Sequence, residues 1–209
     1  MRKIGWKTVA RIGVGITLIL LGVASRTIFS RNYAYPLVPL FGNNFEIITV
    51  IGVVAGLIFG LRWGWLVPVF AMVGSDLVLG NSSEIVWFTW TGFVIPAVLG
   101  GLVKKLVLKT KESKRPLVAS LGGFGGSIFS VLFFFVWTNF GVWLFWYPRT
   151  FEGLIRCYTL ALPFLGNQLK GNLVIAAIMF GAYFATSAVL RVLGRSYPSQ
   201  GNVRMGPVS

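Results

Sequence analysis

Residues 139–172 read NFGVWLFWYPRTFEGLIRCYTLALPFLGNQLKGN, and this stretch is the most informative part of the sequence. It joins two strongly apolar segments and is rich in aromatic residues, glycine, proline and asparagine. This composition predicts a stretch too irregular for a plain membrane-spanning helix. Inside a membrane protein, an irregular segment of this length shapes or covers a cavity. We therefore expect residues 139–172 to contribute to a binding site.

The composition of the whole chain predicts an all-α membrane protein. Of its 209 residues, 56% are hydrophobic and only 11% are charged. Soluble domains carry about 25% charged residues. Charges this sparse and apolar runs this long indicate a polytopic helical protein that forms one domain.

Six apolar segments predict six transmembrane helices. The second and third segments are short for a span, which needs roughly 17–25 residues, and a tight hairpin joins them at Arg62 and Trp63. Two non-helical regions on the outer face, 32–44 and 139–172, then cover the bundle as irregular loops. We expect a single domain over residues 1–195 and a disordered cytoplasmic tail over 196–209. The predicted segments are Thr8–Ala24, Phe45–Leu61, Gly64–Leu79, Glu84–Val103, Leu117–Trp137 and Leu173–Leu193.

The basic residues predict the orientation of these helices. With the N-terminus in the cytoplasm, 14 of the 19 lysines and arginines fall on the cytoplasmic side. The positive-inside rule then predicts a multi-pass protein of the cell membrane with both termini in the cytoplasm. The first segment also suits a cleaved signal peptide, but we favour a retained helix because the chain is polytopic and the following loop is short.

Several classes of function are disfavoured. The chain has no histidine, one cysteine (Cys157) and five carboxylates, which predicts no metal site, no cofactor and no enzyme activity. It has no P-loop. The net charge of +14 would suggest nucleic acid in a soluble protein, but here the charges flank apolar segments and indicate topology, with membrane lipid as their partner.

Small residues mark two helix-packing faces. Gly52, Gly56 and Gly60 line one face of the second segment, and this spacing lets helix backbones approach closely. The sixth segment repeats the pattern. We favour packing within the monomer over a partner interface. The repeated residues are Ala177, Gly181 and Ala185.

Asp76, near the end of the third segment, is a candidate site residue. An ionisable group among apolar residues is a hypothesis for a site by default. An ion pair with Arg149 or Arg26 is an equal alternative.

Local signals also predict how the helices start and end. Asn43 with Glu46, and Asn81 with Glu84, fit capping boxes at two outward-facing helix N-termini. Residues 151–162 predict a short helix that ends at Pro163, and Asn172 then caps the last helix.

Three motifs resemble a known family. They are TNFGVWL at 138–144, YPxTxxGLxxCY at 147–158 and AxPFxxNxxxG at 161–171, with weaker matches in NF at 44–45 and SDLxLG at 75–80. They are similar to a family of small bacterial and archaeal membrane proteins of unknown function, which resembles the substrate-binding (S) components of energy-coupling factor transporters. The resemblance covers about residues 40–185. The chain departs from the family where Asn172 replaces the usual aspartate, which weakens an argument for charge-based recognition there.

This resemblance implies a six-helix, S-component-like bundle that binds a micronutrient from the outer side. Uptake would involve a transmembrane coupling subunit and cytosolic ATPases. The cavity would be lined by groups that stack on a planar ligand or orient it by hydrogen bonds. A structural subunit of a larger membrane complex is the alternative, and a lipid-modifying enzyme fits least. The candidate cavity residues are Asp76, Asn139, Trp143, Tyr147 and Asn167.

Overall fold

The computed structural model describes residues 5–31, 46–80 and 84–196, and the part of the chain it describes is helical without a strand. The all-α prediction is therefore confirmed. A short 3₁₀ helix covers Glu112–Lys114. The helices are α1 (Trp6–Arg31), α2 (Ile48–Phe59), α3 (Leu66–Leu79), α4 (Val86–Lys109), α5 (Arg115–Trp146) and α6 (Phe151–Ser196).

Four of these helices, α1, α4, α5 and α6, are long and apolar enough to cross a membrane, counted over the described residues. The other two, α2 and α3, are apolar but have only 12 and 14 residues. At 1.5 Å per residue they extend about 18 and 21 Å, short of the ~30 Å hydrocarbon core. The fold is compatible with a membrane protein, and the prediction of six full spans remains a prediction.

The prediction that residues 139–172 are irregular is wrong. Helix α5 continues through residue 146, and α6 begins at residue 151, so only 147–150 lie outside a helix. The short helix predicted to end at Pro163 is instead the first part of α6, whose 46 residues run without a break. Asn172 consequently lies inside α6 and does not cap a helix.

The physical reason lies in how the polar residues of this stretch are satisfied. Asn139 donates from Nδ2 to the Phe135 carbonyl at 2.8 Å, and Asn172 donates to the Gln168 carbonyl at 3.1 Å. In both cases the acceptor is the backbone carbonyl of the residue four positions earlier. An asparagine can make this hydrogen bond while its own backbone stays helical. Pro163 removes one backbone bond, which helices of apolar bundles tolerate because neighbouring groups support the backbone.

The closest helix crossing lies between α2 and α4. A Cβ added to Gly52 would lie 2.8 Å from the Pro96 Cβ, and one added to Gly56 would lie 2.6 Å from the Gly101 backbone nitrogen. Gly60 ends α2 with φ of +76°, a left-handed conformation that favours glycine. Two of the three glycines therefore let α2 contact α4, whereas the third forms the turn toward α3.

The small-residue face predicted on the last helix has a different environment. Ala177, Gly181 and Ala185 are exposed, and a Cβ added to Gly181 would meet nothing within 4 Å. The prediction that this face packs within the monomer is wrong for the described residues. The core lies instead around α2, whose Ile48, Val50 and Val53 are fully buried.

Candidate functional site

A cavity of about 160 Å³ lies between α5 and α6. It is bounded by aromatic rings and by three polar side chains, Thr138, Asn139 and Gln168. Of the five residues predicted to line a cavity, Asn139 is the one that this cavity includes. The described residues that line it are Phe134, Phe135, Thr138, Asn139, Ala161, Phe164, Leu165 and Gln168.

A buried carboxylate, Glu46, lies directly behind the cavity wall. Gln168 donates from Nε2 to Glu46 Oε1 at 3.1 Å, and Asn172 donates from Nδ2 to the same oxygen at 3.1 Å. Thr49 donates its hydroxyl to Oε1 at 2.7 Å and its backbone N–H to Oε2 at 3.1 Å. Glu46 is 8% exposed, so these neutral donors replace most of its water.

The described contacts of Glu46 run to residues after it in the chain, and Asn43, its partner in the predicted capping box, lies outside the described residues. The carboxylate points forward to Thr49 in the first turn of α2, where the N–H groups and the helix dipole favour a negative charge. Asn43 and Asn81, the two predicted capping residues, and the loop 32–44 fall outside the described residues. The helices themselves begin near the predicted points, at Ile48 and Val86.

Asp76 belongs to a separate polar cluster. Arg26 of α1 donates from Nη1 to Asp76 Oδ1 at 2.6 Å and to Ser75 Oγ at 2.6 Å. Trp90 of α4 donates from Nε1 to Asp76 Oδ2 at 2.7 Å. The side chains of Arg26 and Asp76 are 19% and 10% exposed. The cluster thus joins α1, α3 and α4, and the ion pair with Arg26 is the alternative that the structure adopts.

Of the remaining three predicted site residues, Trp143 and Tyr147 lie near the turn that joins α5 to α6, and Asn167 lies next to the cavity residue Gln168. Trp143 donates from Nε1 to the Pro148 carbonyl at 3.0 Å and so holds the turn 147–150. Tyr147 is half-buried in that turn. Asn167 is half-buried beside Gln168 and is not part of the cavity lining. The structure therefore does not bring the five residues together at one place.

Two residues of the site, Glu46 and Gln168, were missed by the sequence analysis. Glu46 carried a local signal that suggested only a helix cap. Gln168 lies between the motif residues Asn167 and Gly171, and a polar amide within a long apolar helix was the signal that could have identified it.

A second, larger cavity of about 430 Å³ lies at the opposite end of the bundle. Its lining is almost wholly apolar, with Val54, Leu57, Met179 and Phe180 among its members. Lys104 is the charged residue in it and donates from Nζ to the Ile58 carbonyl at 2.7 Å, near the end of α2. This lysine is therefore engaged with the backbone.

The described residues contain no group of three or more histidine, cysteine or acidic side chains that could hold a metal ion. Cys157 is buried and contacts the Asn139 carbonyl at 3.5 Å. What the site offers chemically is hydrogen bonding, aromatic contact and one buried charge.

The fold and the cavity define an all-helical protein, with four helices of membrane-spanning length among the residues described. The chain belongs to DUF6580, a family of unknown function, whose model matches residues 7–193. No curated protein and no solved structure matches the chain. The family match carries no link to the S components of energy-coupling factor transporters, so that resemblance stays a prediction.

Proposed function

We propose that this chain is a cell-membrane transport protein that binds a small, vitamin-like solute in the α5–α6 cavity for uptake from the outer side. The observation that supports the proposal is the cavity itself, in which Phe134, Phe135 and Phe164 surround Asn139 and Gln168. Binding sites for small molecules are mostly apolar and aromatic, with a few placed polar groups that fix orientation.

In this proposal the chain supplies recognition, and other subunits supply energy. A transmembrane coupling subunit and cytosolic ATPases are the partners that the resemblance implies, and the lack of a P-loop in this chain is consistent with them. Both termini would lie in the cytoplasm, with the basic loop between α4 and α5 on the same side.

Native mass spectrometry of the protein released gently from its host membranes tests the proposal. We expect a bound small molecule, and the masses of a coupling subunit and ATPases when the complex survives. Ala161→Leu, which adds three carbon atoms inside the cavity, should abolish the small-molecule mass. Ala177→Leu makes the same change on an exposed part of α6 and should retain it. A protein that carries only lipid in both cases would contradict the proposal.

A structural subunit of a larger membrane complex is the second candidate, and the exposed face formed by Ala177, Gly181 and Ala185 favours it. Small residues at this spacing permit close helix contact, and the described part of the chain supplies no helix there. Gly181→Leu would then remove a neighbouring membrane subunit from the native mass spectrum and leave any small-molecule mass unchanged. A spectrum unaffected by Gly181→Leu would count against this candidate.

A further inference from the structure

The polar groups of the α5–α6 cavity have their donors directed into the protein. Thr138 donates its hydroxyl to the Phe134 carbonyl at 2.7 Å, and Asn139 donates from Nδ2 to the Phe135 carbonyl at 2.8 Å. Gln168 donates from Nε2 to Glu46 Oε1 at 3.1 Å. Each of the three polar side chains in the wall is thus oriented by an acceptor that belongs to the protein.

The orientation of both amides follows from their neighbours. A backbone carbonyl and a carboxylate only accept hydrogen bonds, so the amide nitrogen, not the oxygen, must face them. Asn139 Oδ1 and Gln168 Oε1 are left as acceptors. Among the residues described, the only buried side-chain oxygen or nitrogen without a hydrogen-bond partner is Asn172 Oδ1. Neither Asn139 Oδ1 nor Gln168 Oε1 is therefore both buried and unpartnered. No described residue donates to either oxygen, so each keeps some accessible surface and the capacity to accept a hydrogen bond.

The carboxylate behind Gln168 adds a negative charge that no described cation neutralises. The ion pair within the described residues joins Arg26 to Asp76, and the donors to Glu46 in the same part of the chain are all neutral. In surroundings of low dielectric constant the field of such a charge extends further than in water. The Gln168 amide lies between the carboxylate and the cavity with its nitrogen toward Glu46. The negative end of its dipole is therefore directed away from Glu46.

The aromatic wall and the volume restrict the ligand further. Phe134, Phe135 and Phe164 line the cavity, and aromatic rings attract a cation through their quadrupoles. A volume of about 160 Å³ is close to that of a protein cavity known to hold benzene, which corresponds to roughly six to eight non-hydrogen atoms. We infer that this cavity selects a small organic cation that carries an ammonium group, an inference that rests on the proposed solute-binding function.

The test measures how the charge of a probe affects its binding to the full-length protein. Benzylammonium, benzyl alcohol and benzoate have nearly the same shape and carry positive, zero and negative charge. We would measure their Kd values at pH 7 by isothermal titration calorimetry in nanodiscs of zwitterionic lipid, and subtract the signal of empty nanodiscs. We expect benzylammonium to bind at least about tenfold more tightly than either of the other two probes.

Two variants connect this preference to the proposed groups. Glu46→Gln should reduce the preference for benzylammonium over benzyl alcohol to about threefold or less, whereas Glu152→Gln, which removes an exposed carboxylate from α6, should preserve it. Phe164→Leu keeps the wall apolar but removes one ring, and Phe164 is 49% exposed, so the fold tolerates the change. It should weaken benzylammonium binding more than benzyl alcohol binding.

Equal binding of the alcohol and the ammonium, or a preference that survives Glu46→Gln, would overturn the cation inference and leave the solute-binding proposal standing. Absence of binding by all three probes would overturn both. If Glu46→Gln fails to fold, the comparison of the three probes on the unmodified protein, together with Phe164→Leu, decides the question.

Discussion

Asn172 and Glu46 are 126 residues apart in the chain, yet Asn172 Nδ2 lies 3.1 Å from Glu46 Oε1 and 3.3 Å from the Glu46 backbone oxygen. The contact joins the middle of α6 to the start of α2. Because Gln168 reaches the same carboxylate from one turn away, α6 is held to α2 beside the cavity. The position of the cavity wall therefore depends on this contact.

Asn172→Ala should lower the free energy of unfolding by about 2 kcal/mol. Asn172 is 2% exposed, so the substitution removes a buried donor and leaves Glu46 with one fewer bond in a site from which water is excluded. Chemical denaturation in mixed detergent micelles would measure the change. Asn167→Ala is the matched control, because Asn167 is half-buried and lies in the same helix, and it should change stability by less than about 0.5 kcal/mol. Equal effects of the two substitutions would contradict this account of the contact.

If Asp76 serves the ion pair with Arg26, its substitution should lower stability. If it serves a ligand site, its substitution should lower solute binding instead. Asp76→Asn should lower the free energy of unfolding by about 3 kcal/mol, because it leaves the largely buried guanidinium of Arg26 without its counter-charge. The double variant Arg26→Met, Asp76→Asn should lose less than the sum of the two single variants, since the charges are removed together. A double-mutant cycle measured by denaturation would give this coupling energy. Loss of solute binding without loss of stability in Asp76→Asn would instead support a site role.

The helical class could be predicted from the sequence, because a long apolar run in a chain this poor in charge has few alternatives to a helix. The lengths of the helices, and the joining of the short helix predicted over 151–162 to the last helix, could not. Pro163 and the asparagines of residues 139–172 have strong preferences for turns in soluble proteins, and these preferences suggested a break. In the folded chain the Asn139 side-chain amide donates a hydrogen bond to the Phe135 carbonyl, and α6 continues through Pro163.

The candidate site was predicted only in part for a related reason. Asn139 could be chosen because it stands among aromatic residues, and it lies on the cavity wall. The contact between Glu46 and Gln168 could not be predicted, because the two residues are 122 positions apart and the contact depends on how α2 packs against α6. Asp76 had two plausible roles in the sequence, and only the position of Arg26 on α1 distinguishes them.

The crossing of α2 and α4 makes Gly56 the least replaceable glycine of that face. A Cβ there would lie 2.6 Å from the Gly101 nitrogen and 2.9 Å from the Gly100 carbonyl carbon, and backbone atoms cannot move aside as a flexible side chain can. Gly56→Ala should therefore cost about 3 kcal/mol of unfolding free energy. Denaturation monitored by circular dichroism would measure it.

Gly125 provides the control for that substitution. It lies within α5, and an added Cβ would meet nothing within 4 Å. Gly125→Ala should therefore raise stability by about 0.5–1 kcal/mol, because alanine favours the helix over glycine. A similar loss in both variants would contradict the role given to the α2–α4 crossing, because helix propensity alone favours alanine at both positions.

Two neighbouring lysines near the end of α4 differ in what they contact, and this difference is measurable. Lys104 donates from Nζ to the Ile58 carbonyl at 2.7 Å, next to the last residue of α2, whereas Lys105 is exposed. A cation at a helix C-terminus satisfies carbonyls that have no partner within the helix and interacts favourably with the helix dipole. Lys104→Met keeps an unbranched side chain only one atom shorter but removes the donor and the charge, so it should cost about 1–2 kcal/mol of stability. Lys105→Met should be nearly neutral in the same denaturation experiment. If the two variants had the same stability, the bond to Ile58 would contribute nothing, and α2 would be held at this end by packing alone.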